Sequence, residues 1–214
     1  MSKILYIHGY STKTTHLFRP KAWSEKEICN TIFELKKQQP AEIDFFHWGW
    51  SLKLSKLQYF NPFQHLKVYL TERKMAKSKG LLNRLHQTIN TYQPEVIICH
   101  SMGSFVLLNY LNKFGKPDSL KKIVTMQADF PRSYKLSQDI EQSLESKELK
   151  FYNIYCPWDE LLPLSMAINL KPPAGMFGMA NKNVQNILFP LYDDLDFHNS
   201  ILNSTRAARF LKEL

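Results

Sequence analysis

Long hydrophobic runs are absent from this sequence of 214 residues. No stretch approaches the roughly 18 to 20 unbroken apolar residues that a membrane-spanning helix needs. The apolar run over residues 4–7 is short and ends at His8 and Gly9, whereas a signal peptide needs a basic start, a longer apolar segment and a small-residue cleavage site. This run is therefore predicted to be the first core strand, and a cytoplasmic location is expected.

Cysteine is also scarce, with only Cys29, Cys99 and Cys156 in the chain. An odd number fits a disulfide framework poorly, and the spacing matches no zinc-binding pattern. Cys99 and Cys156 lie in apolar runs, so buried free thiols are expected. The sequence predicts no metal site.

The composition is that of an ordinary globular protein. Hydrophobic residues make up 44% of the chain and charged residues 22%, values that exclude disordered and fibrous classes. The length suffices for one sizeable core but not for two ordinary domains. No internal repeat or low-complexity linker interrupts the sequence, which predicts a single domain over residues 1–214.

Positive charge is concentrated in one part of the chain. The formal net charge is +9, and residues 51–85 contain Glu72 as their only acidic residue. Such a stretch could contact an anionic membrane surface or nucleic acid, or form a solvated helical face. Its basic residues are Lys53, Lys56, Lys67, Arg73, Lys74, Lys77, Lys79 and Arg84.

Short apolar runs alternate with helical patterns along the chain. Because most runs are continuously apolar or β-branched, they are typical of strands covered on both faces. The pattern predicts an α/β fold with a predominantly parallel, doubly wound six-stranded sheet and helices on both faces. Predicted strands cover residues 3–8, 42–47, 95–100, 122–127, 150–156 and 184–189, and predicted helices cover residues 22–38, 104–114, 136–148 and 200–213.

The segment over residues 49–93 is longer than a single crossover helix requires. It carries aromatic residues, among them Trp50 and Phe60. We interpret it as a helical lid or cap over the functional edge of the sheet. Trp50 and Phe60, together with Phe177 in a later loop, are predicted to line an apolar substrate site, although ordinary surface covering is the alternative.

Ser101 lies where an apolar strand runs directly into an apolar helix. A tight strand-to-helix turn needs small neighbours and lifts a serine hydroxyl above the sheet. Gly103 is small on the helix side, and Cys99 stands where the usual pattern has its first glycine. Ser101 is therefore a candidate nucleophile, and the Met102 N–H could stabilise an oxyanion. The alternative is a serine that caps the helix.

A serine nucleophile needs a base, and the base needs an orienting acid. His198 follows the last predicted strand, so it should overhang the same edge of the sheet as Ser101. Asp159 follows the fifth strand in a short loop and is the favoured acid. The rival acids are Asp129, after the fourth strand, and an acidic loop made of Asp193, Asp194 and Asp196.

The loop after the first strand begins with His8, Gly9 and Tyr10. The glycine permits a sharp bend, and the Tyr10 N–H could be the second oxyanion donor. His8 could shape this loop or contact substrate. An ordinary strand-to-loop turn is the alternative for this segment.

These segments together resemble the α/β-hydrolase superfamily, and lipases and esterases in particular. The residues that carry the resemblance are His8-Gly9-Tyr10, His100-Ser101-Met102-Gly103, Asp159 with Pro163, and His198. Cys99 departs from the family pattern, and the chain starts at the first core strand where the family often has two more. The resemblance implies a Ser101–His198–Asp159 triad with Met102 and Tyr10 as oxyanion donors.

The activity implied is hydrolysis of a carboxylic ester or thioester through an acyl-enzyme on Ser101, without a metal or cofactor. The expected partner is a small ester or acyl substrate, with peripheral contact to an anionic membrane as an additional option and nucleic acid disfavoured. Two other classes remain as alternatives. One is an inactive binding protein of the same fold, and the other is a peripheral membrane or nucleic-acid-binding protein that uses residues 51–85.

Overall fold

The apolar runs of the sequence form the strands of one sheet. The computed structural model describes residues 2–9, 29–38, 40–48, 62–189, 198 and 200–213. In the helix that begins at Pro62, side chains are described from residue 66 onward. Each predicted strand is found within one residue of its predicted bounds. The strands are β1 (Ser2–Ile7), β2 (Ala41–Phe46), β3 (Val96–His100), β4 (Lys122–Met126), β5 (Lys150–Tyr155) and β6 (Gln185–Leu188).

All neighbouring strands pair in parallel, in the order β2-β1-β3-β4-β5-β6. Ile7 at the end of β1 lies opposite Phe46 of β2 and Cys99 of β3. The strand order reverses at β1: the chain passes from β1 to β2 on one side of it, and the strands from β3 onward follow on the other side. In open α/β sheets, ligands bind at such a point, beyond the carboxyl ends of the strands.

Helices cover both faces of the sheet, which confirms the predicted fold class. Helices α1 and α8 pack on one face, with Ile32, Leu35 and Leu211 in its core. Helices α3, α4 and α5 pack on the other face. The described helices are α1 (Asn30–Gln38), α2 (Pro62–Met75), α3 (Lys79–Tyr92), α4 (Met102–Phe114), α5 (Gln138–Glu145), α6 (Leu162–Asn169), α7 (Ala174–Phe177) and α8 (Thr205–Glu213).

Several helices differ from their predicted form. The helix predicted over residues 200–213 is a 3-10 turn over Ser200–Asn203 followed by α8. Helices α6 and α7 were not predicted, and α7 lies in a segment that was expected to be a loop. There the chain packs so closely that a Cβ on Gly175 would lie 2.4 Å from the backbone N of Ala128.

The long segment between β2 and β3 contains two described helices. Leu81, Leu85 and Ile89 of α3 are buried in the sheet core, so this part is a crossover helix of the fold. Helix α2 lies before it, while residues 49–61 lie outside the described residues. The lid or cap therefore stays a prediction, as does binding of a partner by the basic residues.

The described parts of the chain contain no helix that is long and apolar enough to cross a bilayer. The three cysteines are free and buried, as expected for Cys99 and Cys156. Burial raises the pKa of the Cys29 thiol to about 12 and also raises the pKa values of Cys99 and Cys156. These thiols are therefore held in their protonated, unreactive form.

Candidate active site

Ser101 occupies a strained turn between β3 and α4. Its backbone has φ 49° and ψ −126°, a region that costs a non-glycine residue about 1–3 kcal/mol. The turn is held because the Ser101 N–H donates to the carbonyl of Met126 at 2.9 Å. The Ser101 side chain makes no capping hydrogen bond with the helix, so the alternative of a helix cap does not describe it.

Small residues allow this turn to form. A Cβ on Gly103 would lie 2.4 Å from the carbonyl oxygens of both Ile7 and His8, so α4 begins against the end of β1. A Cβ on Gly9 would lie 2.9 Å from the Cβ of Ser101. Cys99, in the place of the usual first glycine, is fully buried in the core beneath α4.

Ser101, His198 and Asp159 form one chain of hydrogen bonds. His198 Nε2 lies 3.0 Å from Ser101 Oγ, and His198 Nδ1 lies 2.6 Å from Asp159 Oδ2. An ionised carboxylate only accepts hydrogen bonds, so Nδ1 carries the proton and the Nε2 of the neutral ring is an acceptor. In this tautomer the ring can take the hydroxyl proton of Ser101.

The acid is anchored by the start of the next helix. Asp159 Oδ1 accepts hydrogen bonds from the N–H groups of Leu161 at 3.0 Å and Leu162 at 2.9 Å. Oδ2 is therefore left for the histidine. Glu160 is exposed, yet its Oε1 accepts the His198 N–H at 3.3 Å.

His100 supports the histidine loop from below, a role that the sequence did not indicate. Its Nε2 lies 2.9 Å from the carbonyl oxygen of His198. Because a carbonyl only accepts, His100 Nε2 must carry a proton. The His100 and His198 rings lie 4.9 Å apart, so His100 fixes the backbone from which His198 projects.

The pKa of His198 results from opposing influences. Burial alone would lower this pKa, because it disfavours the charged ring. The hydrogen bond and charge of Asp159, with smaller contributions from the charges of Asp129 and Glu160, outweigh burial and raise the pKa above its ordinary value. The ring is thus a stronger base than an isolated buried histidine.

Comparison with known proteins places the architecture. No protein-family model and no curated protein sequence matches the chain. Among solved structures, a protein of Xanthomonas campestris pv. campestris, named as a hydrolase of the alpha/beta superfamily, superposes with a TM-score of 0.50 at 14% identity, over 100% of both chains. An uncharacterized protein of Bacillus cereus ATCC 10987 superposes with a TM-score of 0.52 at 13% identity, over 99% of this chain and 60% of that one.

The protein has the α/β-hydrolase fold. At these identities the likeness concerns the fold, and the chemistry has to be argued from the site. In the α/β-hydrolase fold, the strand-to-helix turn with its exposed nucleophile carries the chemistry. Ser101 lies in a strand-to-helix turn of this kind, where it is buried.

Of the two candidate oxyanion donors, Met102 lies among the described residues and Tyr10 does not. Met102 is the first residue of α4, so its N–H is one of the helix N–H groups without an intrahelical partner, next to Ser101. Tyr10 lies outside the described residues, as do Trp50 and Phe60, and their roles stay predictions. The helix N-terminus also favours negative charge beside Ser101.

His8 takes a structural place in this α/β-hydrolase fold. Its Nε2 accepts the Trp48 N–H at 3.0 Å, its Nδ1 lies 2.9 Å from the Gly9 carbonyl, and its own carbonyl accepts the Trp48 indole N–H at 2.7 Å. Both ring nitrogens are thus engaged by the backbone. This geometry favours the loop-shaping role of His8 over the predicted substrate contact.

The cavity at Ser101 has a volume of about 220 Å³. Phe177, predicted to line the substrate site, is exposed on α7 and is not among the described residues around this cavity. Those residues instead include three leucines and a group of polar side chains that the sequence did not single out as substrate-binding. The described lining consists of Tyr69, Ser101, Asp129, Leu161, Leu162, Leu164, Ser165 and His198.

Proposed function

We propose that the protein is a serine hydrolase that cleaves a short carboxylic ester or thioester through an acyl-enzyme on Ser101. One observation carries this proposal: Asp159, His198 and Ser101 are joined by hydrogen bonds of 2.6 and 3.0 Å, and Ser101 and His198 line a cavity. The α/β-hydrolase fold supports the proposal, but fold alone does not determine a reaction.

In the first half-reaction Ser101 Oγ attacks the carbonyl carbon of the ester. Its proton passes to His198 Nε2, and Asp159 stabilises the imidazolium that forms. The carbonyl oxygen becomes an oxyanion, which the Met102 N–H is placed to stabilise at the start of α4. When the bond to the leaving group breaks, His198 returns the proton to the departing alcohol or thiol.

The second half-reaction repeats these steps with water. His198 Nε2 takes a proton from water as its oxygen attacks the acyl carbon on Ser101. Cleavage of the acyl–Oγ bond then releases the carboxylic acid, and the proton returns to Ser101 Oγ. The side chains of Ser101, His198 and Asp159, the Met102 N–H and water thus take part in the two half-reactions.

The cavity favours a short substrate. Its volume is about 220 Å³. Leu161, Leu162 and Leu164 give it an apolar wall, which suits an acyl chain of a few carbons. We therefore expect the highest kcat/KM for acetyl to butyryl esters.

A panel of p-nitrophenyl esters of increasing chain length tests the proposed function. Wild-type protein is expected to hydrolyse the short esters and to be labelled at Ser101 by a fluorophosphonate, as seen by mass spectrometry. The variant Ser101→Ala is expected to lose both properties, because no other group replaces the attacking oxygen.

Ser104→Ala is the matched control for this experiment. Ser104 is buried one turn along α4, and among the described residues its hydroxyl has no hydrogen-bond partner, so its removal should leave hydrolysis and labelling within a few-fold of wild type. Equal hydrolysis by wild type and Ser101→Ala would remove Ser101 from the mechanism.

Asp159→Asn is expected to lower kcat/KM on the order of 10⁴-fold and to change its pH dependence. An amide that donates to His198 Nδ1 stabilises the tautomer whose Nε2 carries a proton and cannot accept one from Ser101. Because Asp159 raises the pKa of His198 and only the neutral base works, the acidic limb of the kcat/KM profile should move to lower pH in the variant. A limb that stays in place or moves to higher pH would contradict this role of Asp159.

A further inference from the structure

A second buried carboxylate, Asp129, lies beside the proposed active site and has no part in the steps above. It follows β4 and lines the same cavity as Ser101 and His198. Its N–H donates to the carbonyl oxygen of Ser101 at 3.2 Å, so its backbone is fixed to the strained turn. Burial of a carboxylate costs free energy unless it is hydrogen-bonded and its charge is compensated. Its presence beside the site therefore needs an explanation.

Asp129 does not orient the histidine. Asp159 Oδ2 already lies 2.6 Å from His198 Nδ1, and Asp159 Oδ1 is engaged by the backbone of α6. Since Nε2 faces Ser101, neither ring nitrogen of His198 is available to Asp129. Asp129 therefore lies outside the hydrogen-bonded chain of Ser101, His198 and Asp159, although it lines the same cavity.

One oxygen of Asp129 is engaged by the protein and the other is not. Oδ1 accepts hydrogen bonds from the hydroxyls of Ser165 and of Tyr69, the latter at 3.3 Å. Among the residues that the structure describes, none donates a hydrogen bond to Oδ2. Asn169 Nδ2 reinforces the arrangement by donating to the Tyr69 hydroxyl at 2.9 Å and to Ser165 Oγ at 3.1 Å.

The charge of Asp129 is already balanced. Arg73 Nη1 lies 3.8 Å from Asp129 Oδ1 and donates to the Tyr69 hydroxyl at 3.2 Å. The guanidinium is also held over the Phe105 ring at 4.4 Å, so Arg73 belongs to the site and not to a solvated basic face. With one cation in place, a neutral donor on the ligand suits Oδ2 better than a second cation does.

Desolvation limits what can occupy this position. Burial raises the pKa of Asp129, while Ser165, Arg73 and Tyr69 lower it in part. A ligand hydrogen bond to Oδ2 would replace the solvation that the carboxylate has lost. A purely aliphatic ligand would instead leave a buried charged oxygen without a donor, which is expensive.

We propose that Asp129 determines specificity by accepting a hydrogen bond from a hydroxyl group of the substrate, so that short hydroxylated esters are the preferred substrates. This inference rests on the proposed function, because it concerns the same cavity. Tyr69, Ser165 and Arg73 are positioning residues, which hold the carboxylate with Oδ2 free for the substrate.

Matched ester pairs test this inference. The acyl arm compares p-nitrophenyl 3-hydroxybutyrate with p-nitrophenyl butyrate, and the alcohol arm compares glycerol monobutyrate with propyl butyrate. Wild type is expected to prefer the hydroxylated member of at least one pair by about 10- to 100-fold in kcat/KM, the range for a hydrogen bond to a charged group. The arm that shows the preference identifies the side of the ester that Asp129 contacts.

The variant Asp129→Asn is expected to reduce the ratio of kcat/KM for the hydroxylated ester to that for the plain ester below about threefold. If Asp129 had only a structural role, the variant would lower kcat/KM equally for both esters and leave their ratio unchanged. That result would overturn the inference. Asp118→Asn makes the same change at an exposed turn residue that is not among the described residues around the cavity, and it serves as the control, with the preference retained.

The outcomes for wild type separate the two proposals. Hydrolysis of both members of each pair at equal rates would overturn the role of Asp129 and leave the serine hydrolase standing. Hydrolysis of neither member would overturn the proposed function, and this inference with it. Asp129→Ala, which removes the carboxylate altogether, provides a second measurement of the same ratio if Asp129→Asn does not fold.

Discussion

Replacing His198 with alanine is expected to lower kcat/KM for the favoured short ester by roughly 10⁴- to 10⁶-fold, the loss seen when a serine hydrolase loses its base. Without the ring, no other side chain in the described part of the protein lies at hydrogen-bonding distance from Ser101 Oγ to take its proton. Asp159 would then face the space left by the ring and could not reach the serine in its place. Discontinuous assays with long incubation times can measure a rate this low, and active-site labelling gives the concentration of reactive protein in each sample.

The double variant Ser101→Ala/His198→Ala should be no slower than either single variant, because the two residues act as one unit. Multiplication of the two losses would show that they act independently and would contradict the proposed mechanism. His86→Ala is the matched control. His86 lies on α3 next to Tyr110 and Phe114, so its loss should change kcat/KM by no more than a few-fold.

Gly103→Ala is expected to destabilise the protein by about 3 kcal/mol, at the upper end of overpacking costs. The added Cβ would lie 2.4 Å from the carbonyl oxygens of Ile7 and His8. Both obstacles are backbone atoms, one in the last residue of β1 and one in the residue after it, so they cannot rotate away as a side chain would. Helix α4 must shift instead, and Ser101 at its start moves with it. Urea unfolding reports the loss of stability, and the ester assay reports the displaced turn.

Gly80→Ala is the control for this substitution. Gly80 lies in α3, and a Cβ there would meet none of the described parts of the chain within 4 Å, so alanine should stabilise the protein by about 0.4–1 kcal/mol by reducing the conformational entropy of the unfolded chain. The two identical changes are therefore expected to have opposite signs. If they shift the urea midpoint equally, the close approach of α4 to β1 is not a constraint on the fold.

The sheet could be predicted because parallel strands carry a strong local signal. Strands β3 and β4 are buried on both faces, so they read as continuous apolar runs, and the helix after β3 follows Ser101 at once. Chain order then placed Ser101, Asp159 and His198 at the ends of three strands. Because parallel strands have their carboxyl ends at one edge, these distant residues could be expected to meet there.

The walls of the cavity could not be predicted in the same way. Tyr69, Arg73, Asp129 and Ser165 come from three separate segments of the chain, and their meeting depends on how α2 and α6 pack above the sheet. In one sequence, Arg73 is indistinguishable from the exposed lysines around it. The short helix α7 was missed because its stability comes from tertiary packing of Gly175, which leaves no helical periodicity to detect.

The position of β1 between β2 and β3 has a consequence for how the chain folds. This strand pairs on one side with β2 and on the other with β3, and residues 8–95 lie between β1 and β3 in sequence. Synthesis of that stretch takes on the order of ten seconds, during which Ile4, Leu5 and Ile7 have only part of their final cover. Pairings of such long range also fold slowly. Expression at lower temperature or with chaperones should therefore raise the yield of correctly assembled protein more than it would for a fold built from local hairpins.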